Sequence, residues 1–276
     1  MDGEVVSCDS MQVYRGMDIG TAKPTWEERQ GIPHHMIDVA DPCDGYSAAH
    51  YARAADRAVR DIMARGKRPI VAGGTGLYLR ALTLGLHDSP PGFPDTSARW
   101  EAFLAEHGQV ALHRALGETD PEAAARLAPG DTRRVLRALV VYSQTGKTLT
   151  RHHDDSQQRP ARYRPLVLGL RMDREALYQR IETRVDEMMS QGLLEEVRGL
   201  AARLPPDCTA MQAIGYKELL SHLGGECTRE EAVARIKQAT RHLAKRQMTW
   251  FTHQEKAHWL DAEASPLAAA MEALQD

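Results

Sequence analysis

The order of apolar and polar positions in the first third of this 276-residue chain predicts strands that alternate with helices. A short run rich in β-branched residues at 4–8 predicts a buried strand. Apolar side chains recur at helical spacing over 48–65, and a second strand is predicted at 68–72. Glycines at 73–76 then turn the chain into another helix. This succession is typical of a parallel α/β sheet.

Residue types that begin and end helices mark the expected boundaries. Side chains that accept a hydrogen bond from a first-turn amide stand at the predicted starts: Ser47, Asp120, Asp131 and Thr228. Pro121 follows Asp120 at the first helical position, and Glu231 gives Thr228 the spacing of a capping box. Gly66 and Gly146 stand where a left-handed residue ends a helix.

The pattern changes at 90–94, where three prolines in five residues predict a boundary. From 95 to 146 the pattern is wholly helical. The polar, proline-bearing stretch 151–165 predicts a loop or flexible return, 166–170 predicts a strand that rejoins the sheet, and 257–260 a last short strand.

We therefore predict two domains. Residues 1–87 and 166–276 form an α/β catalytic core, and residues 88–165 form an inserted all-helical domain. A hydrophobic content of 42% and a charged content of 26% are ordinary for a globular protein of this kind.

Charge and targeting signals narrow the class of function. Lys and Arg total 35 against 38 Asp and Glu, so the net charge of −3 gives no global attraction to a polyanion, and any nucleic-acid surface must be local. The apolar runs fall short of the ~20 residues that span a bilayer, and the N-terminus lacks the features of a signal peptide. We predict a cytoplasmic protein without membrane contact. The four cysteines lie far apart and predict free thiols, and the histidine pairs lack metal-ligand spacing.

Asp9 is the first candidate for chemistry. A carboxylate directly after a buried strand lies at the carboxyl end of that strand, where open α/β sheets bind their ligands. Ser10 and Gln12 add hydrogen-bonding groups beside it. The alternative is that Asp9 only caps the following turn.

Three further features are ambiguous by themselves. The glycines at 73–76 allow close backbone approach before a helix N-terminus, or they form an ordinary strand-to-helix turn. Three arginines from Arg133 to Arg137 lie within one helical turn, either facing phosphates or simply solvated. A second basic stripe has the same two interpretations and comprises Arg235, Lys237, Arg241, Lys245 and Arg246.

The sequence Asp-Ser-Met-Gln-Val-Tyr from Asp9, followed by Gly-Met-Asp-Ile-Gly-Thr-Ala-Lys-Pro from Gly16, closely resembles a signature block of the tRNA dimethylallyltransferases. Four later blocks also resemble that family: Gly-Gly-Thr-x-x-Tyr at 73–78, the arginine-bearing helix at 131–139, Ile-Gly-Tyr-Lys at 214–217 and Thr-Arg-His-Leu-Ala-Lys-Arg-Gln at 240–247. Trp-Leu-Asp at 259–261 fits as well, so the resemblance spans nearly the whole chain.

The resemblance implies a P-loop NTPase-like parallel core with an inserted tRNA-binding domain. It implies transfer of a dimethylallyl group from dimethylallyl diphosphate to the exocyclic amine of the adenosine next to the anticodon in a tRNA anticodon stem-loop. Mg²⁺ is the implied cofactor, and a monomer is expected.

The resemblance also implies residue roles. Asp9 would be the catalytic base, with Thr75 near the reacting centre. The implied tRNA-binding residues are Asp9, Ser10, Met11, Gln12, Arg99, Arg133, Arg134, Arg137, Gln212, Gly215, Tyr216 and Lys217. The implied diphosphate-binding residues are Arg241, Lys245 and Arg246, because cations that converge on a leaving group stabilise its developing charge.

The chain departs from the family pattern in one respect: it contains no G-x-x-x-x-G-K-[ST] phosphate loop. We expect the first strand and the loop to be missing through a start codon assigned too far downstream. A strand, the loop and most of a helix would add roughly 25–30 residues, or about 3 kDa, to the 30.7 kDa chain. The chain as given is then expected to be unstable or inactive. The alternatives are a truncated or repurposed chain, a non-catalytic tRNA-binding protein and a nucleotide kinase-like enzyme.

Overall fold

The computed structural model of the chain describes residues 2–85, 93–157, 160–205 and 208–274. The chain divides into two compact units. The core unit comprises Met1–Leu82 and Arg164–Asp276, and the helical unit comprises Thr83–Tyr163. The domain boundary predicted between 87 and 88 lies outside the described residues.

The described residues of the core unit form five short parallel strands: β1 (Gly3–Ser7), β2 (His34–His35), β3 (Arg68–Ala72), β4 (Leu168–Arg171) and β5 (His258–Asp261). One sheet has the order β2-β1-β3, in which Val5 lies opposite both His34 and Ile70. The strands predicted near 4–8 and at 68–72 are therefore confirmed, and the protein has an α/β fold.

The prediction that 166–170 rejoins this sheet is wrong for the described residues. Instead β4 pairs with β5 in a second, two-stranded sheet, with Gly169 opposite Trp259. A Cβ atom on Gly169 would lie 2.6 Å from the Trp259 ring, so the glycine leaves room for that ring across the strand pair. The apolar run predicts the strand itself, but its partner lies about 90 residues away, and the local pattern does not identify that partner.

Eleven α-helices are described, in chain order: α1 (Ala48–Ala64), α2 (Gly76–Leu84), α3 (Pro94–Thr119), α4 (Pro121–Arg126), α5 (Thr132–Thr145), α6 (Leu149–Gln157), α7 (Arg174–Ser190), α8 (Leu193–Ala201), α9 (Tyr216–Leu223), α10 (Arg229–His253) and α11 (Pro266–Glu272). A 3₁₀ helix, Thr209–Gln212, precedes α9. Helix α3 is interrupted at Gly108, whose φ is +77°.

The predicted helix caps are confirmed. Side-chain oxygens accept first-turn amides at all four predicted N-caps: Ser47, Asp120, Asp131 and Thr228. The capping box before α10 is reciprocal, because Thr228 Oγ1 accepts from the Glu231 amide at 3.1 Å and Glu231 Oε2 accepts from the Thr228 amide at 2.9 Å. Gly66 and Gly146 have φ values of +73° and +66° at the ends of α1 and α5.

The helical unit has its own apolar core, in which α3, α4 and α5 bury Leu112, Leu116 and Leu139. A loop is predicted at 151–165, but α6 extends to Gln157, so the prediction is wrong for residues 151–157. The residues of α6 are mostly polar, so no apolar periodicity marks the helix in the sequence. Contacts with the rest of the helical unit hold its first turn. The Thr150 hydroxyl and amide both donate to the buried Asp120 carboxylate, at 2.7 and 3.1 Å.

The packing of the core unit follows the predicted face of α1. Tyr51, Ala55, Val59 and Ile62 are buried, as their spacing predicts, and the Tyr51 ring stacks on Tyr78 with centroids 4.1 Å apart. The four cysteines are free thiols, as expected. None of the helices in the described parts of the chain is long and apolar enough to cross a membrane.

Candidate functional site

A cavity of about 940 Å³ lies in the core unit where several strands end. Its walls include the residues after β1, from Asp9 to Met11, and the glycine turn after β3, from Gly74 to Gly76. The end of β4, the loop Gly20–Ala22, residues 212–215 with Lys217, and side chains of α7 and α10 also line it. The carboxyl ends of parallel strands are where open α/β folds place ligands.

The Asp9 carboxylate both caps a turn and lines the cavity. Its Oδ1 atom accepts hydrogen bonds from the Met11 amide at 2.7 Å and the Gln12 amide at 3.3 Å. The two interpretations of Asp9, as a carboxylate at a ligand site and as the cap of a turn, therefore both agree with its position. The two amides fix the orientation of the carboxylate, with Oδ1 turned towards its own backbone.

Thr75 ties the glycine turn to the segment that carries Asp9. Its hydroxyl accepts from the Ser10 amide at 3.0 Å and donates to Ser10 Oγ at 3.3 Å, while its amide donates to the Cys8 carbonyl at 3.1 Å. The Cys8 thiol donates back to the Thr75 carbonyl at 3.6 Å. Burial raises the pKa of Cys8 to about 12, so this thiol stays protonated at neutral pH.

The glycines of the turn are required by close packing. A Cβ atom on Gly73 would lie 2.4 Å from the Cys8 backbone, and one on Gly76 would lie 2.0 Å from the Trp250 indole nitrogen. Gly74 is approached by the Gln247 side chain, which donates to its carbonyl at 3.1 Å. The turn therefore packs directly against β1 and α10, and any larger residue would separate these elements.

The rest of the cavity combines cations with apolar surface. Asp9 is its one acidic side chain among the described residues, against five basic ones: Arg171, Arg180, Arg184, Lys217 and Arg246. Apolar side chains supply much of the remaining wall, among them Leu77, Leu177, Ile181, Met188 and Leu243. Such a cavity suits a ligand that carries both negative charge and a hydrocarbon part.

The residues predicted to bind diphosphate are in different environments. Arg246 lines the cavity, whereas Lys245 is exposed and lies outside its lining. Arg241 also lies outside the lining, where it pairs with Glu182 at 2.6 Å and stacks over the Tyr178 ring. Whether the three bind diphosphate stays a prediction.

The predicted tRNA-binding residues of the core unit gather around the same cavity. Besides Asp9, its lining contains Ser10, Met11, Gln212, Gly215 and Lys217. Gln12 lies just behind it, with its side-chain amide donating to the carbonyls of Thr21 and Ala22 at 3.2 and 3.3 Å. The Tyr216 side chain is buried, and burial next to Glu196 raises its pKa far above the ordinary value. The tRNA contacts of all these residues stay predictions.

The remaining predicted tRNA-binding residues belong to the helical unit. Arg133 and Arg134 are exposed at the start of α5, with Arg134 paired to Asp131 at 3.3 Å, and Arg137 is half-buried one turn later. Arg99 lies over the Trp100 ring at 5.8 Å.

Three cationic residues of the cavity were missed from the sequence. Arg180 and Arg184 lie four residues apart on α7, and Arg171 ends β4. A pair of arginines at this spacing looks the same on a solvated helix face as on the wall of a cavity. The only available signal was the apolar series on the same helix, including Leu177 and Ile181.

An α/β protein with a strand-end carboxylate in a cationic and partly apolar cavity has the features of a group-transfer enzyme acting on anionic substrates. Residues 12–254 match the IPP transferase family. A tRNA dimethylallyltransferase of Geobacter metallireducens is 50% identical over 262 residues, which are 94% of this chain and 84% of that protein. One from Geobacillus thermodenitrificans is 45% identical over 262 residues, 95% of this chain and 83% of that protein.

Solved structures agree with these relatives. The tRNA delta(2)-isopentenylpyrophosphate transferase of Staphylococcus epidermidis superposes with a TM-score of 0.69 at 41% identity, covering 99% of this chain and 89% of that one. A eukaryotic dimethylallyltransferase acting on tRNA gives a TM-score of 0.77 at 30% identity, covering 99% and 71%. The chain belongs to the IPP transferase family, so the resemblance to tRNA-prenylating enzymes is confirmed.

Proposed function

We propose that this chain transfers a dimethylallyl group from dimethylallyl diphosphate to the exocyclic amine of the adenosine on the 3′ side of the anticodon in tRNA. The observation that carries the proposal is the cavity, in which one carboxylate faces five cations and an apolar wall. A short branched hydrocarbon with a diphosphate needs both the apolar and the cationic surface. A nucleotide-binding kinase site would not need the apolar surface.

In the proposed reaction the amine nitrogen attacks the allylic carbon while the bond from that carbon to the diphosphate oxygen breaks. The exocyclic amine is a weak nucleophile because its lone pair is delocalised into the base. Asp9 takes the proton that the amine loses as the new bond forms, a contribution of roughly 10²–10⁴-fold. Thr75 holds Ser10 and the Asp9 segment in place through its hydroxyl.

The cationic side of the cavity would receive the diphosphate. Arg246 of α10 and the arginines of α7 would stabilise the charge that grows on the leaving diphosphate. We include Arg241 and Lys245 in the proposal as neighbours on the same helix. The parallel strands and the relatives support the finer assignment of this unit as a P-loop NTPase-like core.

Mg²⁺ enters the proposal only with the diphosphate. No three His, Cys, Asp or Glu side chains converge on one point within residues 2–85, 93–157, 160–205 and 208–274. With Asp9 acting as base, the hydroxyls of Ser10 and Thr75 do not by themselves make a Mg²⁺ site. The ion would arrive as the counter-ion of the substrate and neutralise part of its charge.

The tRNA would contact both units. Arginine forks suit phosphates and base edges, which supports the assignment of Arg99, Arg133, Arg134 and Arg137 to the anticodon stem-loop. The relative with a TM-score of 0.77 is a dimethylallyltransferase acting on tRNA. We further propose that the chain acts as a monomer in the cytoplasm.

The experiment that tests this function compares Asp9→Asn with the unsubstituted protein in single-turnover transfer to tRNA, both in a version that carries the phosphate loop. Removing the base should lower the rate of bond formation by about 10²–10⁴-fold and leave tRNA affinity nearly intact. Asp41→Asn, at an exposed carboxylate paired with Arg15, is the matched control and should transfer at the wild-type rate. A near-full rate in Asp9→Asn would remove Asp9 from the role of base, and an unsubstituted protein that carries the phosphate loop and still transfers nothing would refute the function.

A further inference from the structure

The Glu196 carboxylate, in the first turn of α8, accepts four hydrogen bonds. Its Oε2 atom accepts from the backbone amides of Asp18 and Ile19, at 2.9 and 2.8 Å. Its Oε1 atom accepts from the Gly20 amide at 3.1 Å and from the Tyr216 hydroxyl at 2.6 Å. Three successive amides thus converge on one side chain that is 176 residues away from Gly20 in sequence.

This arrangement is a backbone nest occupied by a carboxylate from the same chain. Successive amides that point to one place favour an anion, and hydrogen bonds to an ionised acceptor are about twice as strong as neutral ones. Glu196 is only half-buried, but both of its oxygens are committed. Glu196 therefore holds the loop at residues 18–22 in a defined position.

The elements that Glu196 joins are two walls of the cavity. On one side, Gly20 and the two residues after it line the cavity. On the other, Tyr216 stands between Gly215 and Lys217, which both line it. The Tyr216 ring packs on Gly20, where a Cβ atom would lie 2.6 Å from the ring.

The loop is also fastened behind Glu196 by other contacts. Gln12 donates to the carbonyls of Thr21 and Ala22, and the buried Lys23 ammonium donates to the Tyr14 carbonyl at 2.6 Å. We expect these contacts to keep the loop folded when Glu196 is changed. The loss of Glu196 would then free the edge at 18–20 without unfolding the segment.

We propose that Glu196 is a positioning residue that sets the width of the cavity for the allylic diphosphate substrate. The assignment of that substrate rests on the proposed function. Glu196 acts through the loop and through Tyr216, and it touches no reacting atom.

The test uses Glu196→Gln in the full chain, in the version that carries the phosphate loop. The NH₂ group of the glutamine side chain cannot accept a hydrogen bond, so at least one loop amide loses its acceptor. Steady-state transfer should show kcat/KM for dimethylallyl diphosphate reduced by roughly 10- to 100-fold, mainly through a higher KM. A merely destabilised protein would instead lose active fraction at unchanged KM. Amide hydrogen exchange in peptides covering 17–23 should become faster by a similar factor.

Two further variants complete the design. Glu195→Gln changes the neighbouring exposed carboxylate, which pairs with Arg198 on the same helix, and it should alter neither exchange nor KM. Tyr216→Phe removes a single hydroxyl and keeps the carboxylate, so it should raise KM less than Glu196→Gln does. If Glu196→Gln does not fold, Tyr216→Phe decides the question with the same two measurements.

Unchanged exchange at 17–23 in Glu196→Gln would overturn the proposal, and so would faster exchange with an unchanged KM. Failure of the proposed function gives a different result, because the unsubstituted protein with its phosphate loop would then transfer nothing. In that case the variants are compared by calorimetric binding of dimethylallyl diphosphate, and equal affinity in wild type and Glu196→Gln overturns the positioning role.

Discussion

At the scale of single residues, Glu4 is the most strongly perturbed carboxylate outside the cavity. It lies on β1 with 1% of its surface exposed and is surrounded by three basic side chains. Arg65 contacts both of its oxygens, His35 Nε2 lies 2.8 Å from Oε2, and Lys67 Nζ lies 3.3 Å from Oε1. The hydrogen bonds from Arg65, followed by those from His35, hold the pKa of Glu4 far below its ordinary value.

A depressed folded-state pKa gives stability that is present above the unfolded-state pKa and is lost as pH falls towards the folded-state value. We therefore expect Glu4→Gln to unfold at a lower urea concentration than wild type at pH 7. The gap should narrow as pH falls below about 4.3, the ordinary pKa of a glutamate. Asp61→Asn removes the other carboxylate that contacts Arg65, an exposed one, and should cost far less. A gap between Glu4→Gln and wild type that is constant from pH 7 to pH 3 would contradict this account.

At the scale of elements, local chemistry identified the helices better than it identified their partners. Ser47 and Asp131 were recognised as caps because the cap hydrogen bond joins residues three apart. The pairing of β4 with β5 and the Arg241–Glu182 pair join residues tens of positions apart, and local spacing carries no information about them.

In the candidate site, too, local features could be predicted from the sequence and long-range contacts could not. Asp9 could be placed at a strand end because strand and carboxylate are adjacent in sequence, and the structure brings it beside Thr75 through Ser10. The role of Glu196 could not be predicted, because a glutamate in the first turn of a helix ordinarily faces the helix dipole and solvent. Here tertiary packing turns it towards three amides of a distant loop.

The capping box of α10 gives a prediction at this scale, since that helix carries Arg246, Gln247 and Trp250 to the cavity. Thr228→Ala leaves the Glu231 amide without its acceptor and should reduce the free energy of unfolding by about 1 kcal/mol. Urea unfolding followed by circular dichroism measures the change.

The matched control for the cap lies on the same helix. Thr249→Ala removes a hydroxyl that donates only to the Lys245 carbonyl within α10, so alanine's higher helix propensity should leave stability equal or slightly greater. An equal loss in both variants would mean that the cap adds nothing specific to α10.

At the scale of the whole molecule, positive charge is concentrated in particular places although the net charge is negative. The chain has a net charge of −3, yet its cavity carries five cations and the start of α5 carries three arginines. A polyanion is therefore attracted only to particular places. Since counterion release makes such binding salt-dependent, the salt dependence of tRNA affinity reports how many phosphates these places contact.

We expect the triple variant Arg133→Ala, Arg134→Ala, Arg137→Ala to bind tRNA more weakly. The plot of log affinity against log salt should also flatten, by about 0.7–0.9 units of slope for each phosphate that the variant no longer neutralises. Filter binding over a series of salt concentrations measures both quantities.

The helix α1 offers a control of equal charge on a single helix: Arg53, Arg57 and Arg60, all exposed on the core unit. Replacing these three with alanine changes the net charge by the same amount, so it separates a local interaction from a general reduction of positive charge. The α5 variant should lose affinity and slope while the α1 variant keeps both. Equal losses in the two variants would mean that tRNA senses only the total charge, and unchanged binding in both would return α5 to a solvated helix face.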